Sequence, residues 1–130
     1  MDAHAIQREA CVLPRSTTAP ALARGFVSST LTSWDVRETF ADVPLLASEL
    51  VTNAVRHANG DVALSLQLDN DRMRVSVSDS SDELPVMGDL ETARDGGWGL
   101  HIVDRLAASW GLEADSDGKT VWCEVVEAPG

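Results

Sequence analysis

Long apolar runs are missing from this sequence of 130 residues: nothing in it approaches the roughly 20 consecutive apolar residues a membrane-spanning helix needs. Met1 to Ala10 has no basic start followed by an apolar core, so no secretory signal is expected and the protein is read as cytoplasmic. Cysteine is scarce. Cys11 and Cys123 match no metal-ligand spacing, and both sit in apolar, strand-like runs that read as reduced, buried thiols rather than a disulfide. Basic charge is short as well, with 10 Lys and Arg against 21 Asp and Glu and a formal net charge of −11. A domain this acidic is a poor ligand for nucleic-acid phosphates or anionic lipid. Any polyphosphate it binds must be held through backbone N–H groups, a metal ion and very few side-chain cations.

What is present is enough for one core. Hydrophobic residues make up 44% of a length that suits a single domain, expected over residues 9–127 behind a flexible arm at 1–8. Ala10 to Leu13 reads as a first strand ended by Pro14, and the hydroxyls of Ser16-Thr17-Thr18 offer caps to a helix of about residues 18–33. Asp61 to Asp69 alternates strictly, Asn70-Asp71 is a turn, and Met73, Val75 and Val77 continue the alternation, which makes a β-hairpin that delivers Asp79 at its end. Residues 82–97 carry no period and contain Pro85, Gly88, Gly96 and Gly97, which reads as a functional lid or a disordered segment. Trp98 to Trp110 reads as a helix, and Leu112–Asp115 with Thr120–Val126 as a second hairpin. The order predicts an α/β fold: a two-layer sandwich of a mixed sheet with helices on one face.

Four features carry chemistry. In the helix after Pro44, apolar residues from Leu46 to Ala58 fill one half of the wheel, while Glu49, Asn53 and His57 recur at four-residue steps along its border, with Arg56 and Thr52 beside them. That row is either a solvated edge of a core helix or a carboxylate, an amide and an imidazole aimed at one ligand. Asp79 ends a strand. Gly96-Gly97-Trp98-Gly99 enters a helix, where glycines let the backbone approach a ligand and the helix N-terminus favours an anion. Gly118-Lys119-Thr120 follows a turn, with Thr120 the candidate contact.

The order and spacing of the four resembles the GHKL superfamily of ATP-binding domains, which includes gyrases and histidine kinases. Within it the chain is most similar to the small stand-alone branch of bacterial anti-sigma factor serine kinases. Glu49-x-x-x-Asn53-x-x-Arg56-His57 resembles the N box, Val77 to Ser81 the first glycine box and Gly97-Trp98-Gly99-Leu100 the second. The resemblance implies a Bergerat-type fold, ATP and Mg²⁺ as cofactors, and a role for each matching residue. Asp79 would accept from the adenine amino group and select ATP over GTP, with Thr120 supporting the base. Asn53 would ligate Mg²⁺, and Gly97 and Gly99, in the Gly97-Trp98-Gly99-Leu100 segment, would let backbone N–H groups cradle the phosphates. Arg56 would contact phosphate, and His57 would either do the same or hold structure. Glu49 would be the general base.

Two departures stand out. Ser80-Ser81 replaces a glycine that many relatives carry after the aspartate, and Trp98 stands where many small relatives place an arginine. The lid adds Asp82, Glu83, Asp89, Glu91 and Asp95 against Arg94 alone. The length leaves no room for the phosphoacceptor hairpin of a sensor histidine kinase or the further domains of gyrase-like ATPases. Two functions stay open: a protein serine/threonine kinase that acts on a small antagonist protein and binds it or a sigma factor, or a nucleotide-dependent binding module without phosphoryl transfer. A homodimer is implied by the resemblance alone; neither nucleic acid nor a membrane is expected as a partner.

Overall fold

The computed structural model describes residues 6–57, 60–80 and 100–127, with the side chains of His57, Leu100, His101 and Asp115 outside the description. Five strands and three helices lie within these spans: β1 Gln7–Leu13, α1 Ala19–Ser33, α2 Val43–His57, β2 Val62–Asp69, β3 Arg72–Asp79, α3 Leu100–Leu106, β4 Ser109–Asp115 and β5 Gly118–Val126. They form one sheet in the order β1-β2-β3-β5-β4.

The alternation fixes which side of the sheet is covered. Val62, Leu64, Leu66 and Leu68 of β2, Met73, Val75 and Val77 of β3, and Val121 and Cys123 of β5 are all buried. They share one face because side chains alternate along a strand and cross-strand partners point the same way. The helices pack there, with Ala23, Val27 and Leu31 of α1, Leu46, Ala47, Leu50, Val51 and Ala54 of α2, and Val103 of α3 closing the core. Each fully buried leucine contributes about 1.5–3 kcal/mol relative to exposure. Along the other face runs a polar row. Arg74 lies 4.1 Å from the Trp122 ring centroid and donates to Glu124 at 3.2 Å.

The two-layer sandwich is the expected one, but the sheet is antiparallel at every pairing rather than mixed. β4 does run in the direction of β3. β5 is inserted between them and pairs antiparallel with both. Three boundaries also move. Gln7 and Arg8 pair with Leu68 and Gln67, so they belong to β1 and not to an arm. The expected helix to Trp110 stops at Leu106: Ala107 N–H makes the last helical bond to Val103, and Ala108 N–H already donates to Glu124 in β5. Strand pairing wins over the helical spacing of Ala107 and Trp110, because Trp110 gains Cys123 as cross-strand neighbour and a bond from its Nε1 to Asp104 at 3.0 Å. At the start of α1, Thr18 makes no side-chain cap; its hydroxyl bonds that of Ser16 at 2.7 Å instead, and Pro20 opens the helix.

Candidate functional site

The hairpin registers bring the candidate residues to one end of the sheet. β2 starts and β3 finishes at the same end, since Ala63 faces Ser78. α2 finishes there too, because Val62 follows His57 after a short link. Arg15, in the turn after β1, donates from Nε to the Val55 carbonyl at 3.2 Å. That carbonyl is among the last four of α2, which have no helical partner, so the guanidinium both satisfies it and suits the negative end of the helix.

Within α2, four polar side chains are partly or wholly buried, and two of them, Ser48 and Thr52, have local solutions. Ser48 Oγ donates to the Leu45 carbonyl at 2.8 Å, and Thr52 Oγ1 to the Ser48 carbonyl at 2.7 Å. Asn53 is 3% exposed, and its Oδ1 has no hydrogen-bond partner among the described residues. An orphaned buried acceptor costs on the order of 1–3 kcal/mol, so it fits an oxygen ligand held ready for a hard cation. Glu49 stands one turn earlier on the same edge of the helix and is half-buried; Arg56 is exposed.

At the end of β3, Asp79 is buried and faces the helix layer, in phase with Val75 and Val77. Directly across from it in β5 is Lys119, also buried, whose Nζ lies 3.3 Å from Asp79 Oδ1. Gly118 precedes this pair at φ 143°, and a Cβ there would drive into the Asp79 carbonyl oxygen. Only glycine serves at this close approach.

Thr120 is placed on the other side of the sheet from Asp79. It is in phase with Trp122 and Glu124, so its side chain lies on the uncovered face, where its Oγ1 meets Ser78 Oγ at 2.8 Å. Its side chain therefore points away from that of Asp79, which faces the helix layer. The inward position belongs to Lys119, which reading the residues singly had missed. The period of two through Lys119, Val121 and Cys123 was the signal that could have found it. Ser78, Asp79, Glu113, Asp117, Lys119 and Thr120 line a cavity of about 380 Å³ at this end of the sheet. His57 is placed by its backbone at the end of α2 and Leu100 at the start of α3. Gly97, Trp98, Gly99 and the expected lid at 82–97 lie outside the described residues.

The cysteines stay apart from this site. Three strand spacings of about 4.8 Å separate β1 from β5, too far for Cys11 to bridge to Cys123. Burial pushes the Cys123 thiol up to about 12, partly offset by Arg74 and reinforced by Glu124, and burial also raises Cys11. Both are neutral thiols near pH 7, unsuited to nucleophilic or metal chemistry.

The histidine kinase-like ATPase domain family matches residues 13–124, a span that includes every candidate position. The chain belongs to this family. Membership brings with it an ATP-binding regulatory domain, the coarser part of what the motifs implied. No curated protein matches the chain at a significant level. No helix among the described residues is long and apolar enough to cross a membrane.

Proposed function

We propose that this protein binds Mg²⁺-ATP at the Asp79 end of the sheet and acts as an anti-sigma factor-like protein serine/threonine kinase on a small antagonist protein. The observation that carries the reading is Asn53: a buried amide oxygen without a partner among the described residues, one helical turn from a carboxylate and at the sheet end where Asp79 stands. Asn53 Oδ1 would hold Mg²⁺, which when bound offsets the charge of the phosphates. Asp79 accepts from the amino group of the base. Glu49 takes the proton of the attacking serine or threonine hydroxyl; that oxygen bonds the γ-phosphorus, the bond to the β–γ bridging oxygen breaks, and ADP leaves. The Gly97 to Leu100 segment supplies backbone N–H groups to the phosphates, and Arg56 a cation.

A second reading has an observation of its own. Trp98 replaces a phosphate-facing cation, and the acids of 82–97 repel a polyphosphate. These favour a module whose affinity for a sigma factor or antagonist follows its nucleotide state without transfer. γ-Labelled ATP, supplied with the purified products of neighbouring genes, separates the two. Label on a serine or threonine of a partner supports the kinase, and nucleotide-dependent capture with no label supports the module. Calorimetry that finds no Mg²⁺-ATP binding overturns both.

A further inference from the structure

Lys119 is the chain's single lysine, and it is spent on a position where a charge is expensive. Its side chain and that of Asp79 are each 2% exposed. Taking two charges out of water costs more than their attraction returns unless the remaining donors and lone pairs are also satisfied. An ammonium has three donors. Among the described residues, that of Lys119 has one hydrogen-bond partner, Asp79 Oδ1 at 3.3 Å. The pair is held at the very end of the sheet by the Asp79–Lys119 register and by Gly118 packed on the Asp79 carbonyl. Both residues are also among those lining a cavity of about 380 Å³ at this end of the sheet. An acceptor and a donor side by side, with donors left over, form a recognition unit more than a staple.

Resting on the reading that the base of a nucleotide meets Asp79, we propose that Lys119 is a second base-contacting residue, donating to the purine N1 while Asp79 accepts from the 6-amino group. Adenine presents a donor and an acceptor in adjacent positions on this edge, which the pair matches in order. Guanine presents the reverse: its O6 would face the carboxylate and its N1–H the ammonium, a mismatch at both atoms. Lys119 thus doubles the discrimination that Asp79 alone would give. It also keeps Asp79 partnered while no nucleotide is bound.

The test is a cycle of one atom against one side chain, read by calorimetry in the presence of Mg²⁺. Wild-type protein is expected to bind ATP about tenfold or more tighter than 1-deaza-ATP, in which N1 is replaced by C–H, because a hydrogen bond to a charged group is lost. Lys119→Met, which keeps the stem and removes the donors, is expected to bind the two nucleotides alike. Wild type that binds ATP and 1-deaza-ATP equally overturns the assignment and leaves ATP binding standing. Lys119→Met that still prefers ATP tenfold does the same. Wild type that binds no ATP overturns the nucleotide reading itself, a separable outcome. The wild-type comparison needs no variant, so a poorly folding Lys119→Met cannot shelter the proposal; Asp79→Asn combined with Lys119→Met, which leaves no unpaired charge, repeats the second arm.

Discussion

Asn53 and Leu50 are neighbours on α2, both buried, and they should respond to substitution in opposite ways. Asn53→Ala removes an acceptor that the fold leaves unsatisfied, so melting of the nucleotide-free protein should change by no more than about 1 kcal/mol while Mg²⁺-dependent ATP affinity is lost. Leu50→Ala empties a fully buried site and should cost roughly 2–5 kcal/mol. Glu49→Ala should leave ATP affinity within a few-fold and abolish transfer, since a general base acts in the transition state. If turnover survives in full, the Glu49 edge of α2 is solvated surface and nothing more. Cys123 gives a pH signature of a different kind. Its folded value of about 12 lies above the ordinary 9.0, so its contribution to stability is complete below pH 9 and is lost as pH rises toward 12. Urea midpoints should therefore fall between pH 8.5 and about 10.5, and Cys123→Val should flatten that fall; an unchanged slope in the variant would place its cause elsewhere.

Among the elements, the β4–β5 hairpin does most to shape the candidate site. Its two-residue turn, Ser116-Asp117, lets Gly118 enter β5 at a φ that other residues reach only with strain, tight against β3. Gly118→Ala should separate the ends of β3 and β5, lowering stability by about 2 kcal/mol or more and weakening ATP binding together with it. A variant that kept both would mean that the close approach to the Asp79 carbonyl is dispensable. Farther along the same hairpin, Gly111 accommodates the Trp122 ring, which a Cβ would meet at 2.8 Å. α3 is short for the same reason that β4 is long: residues spaced for a helix were drawn into pairing with β5, where the backbone bond from Ala108 to Glu124 starts the ladder.

For the whole molecule, the charge of −11 and the demand for polyphosphate binding pull against each other. Affinity for ATP should depend steeply on Mg²⁺, which supplies charge that the side chains do not. At ATP concentrations a hundred times the dissociation constant, linkage adds about 2.7 kcal/mol to stability. Thermal melts should then rise by several degrees with Mg²⁺-ATP, less with ATP and chelator, and little with Mg²⁺-GTP. A rise of equal size for GTP would show that the Asp79–Lys119 edge does not choose the base.

Period and punctuation were enough to place β2, β3, α1 and α2 to within a residue or two, because the core face of each element is written in its own local spacing. The row from Glu49 to Asn53 was legible for the same reason, as was Asp79 at its strand end. Pairing partners are not local. That the sheet is antiparallel throughout, that Trp110 is a strand residue, and that Gln7 belongs to β1 depended on which strands met, and free energy gained across the sheet outweighed the helical spacing of a short segment. The face of β5 was decided in the same way. Thr120 and Lys119 are adjacent in sequence and one residue of register apart, and a single step carries a side chain through the sheet. Only the pairing of β5 with β3 put Lys119, rather than Thr120, beside Asp79.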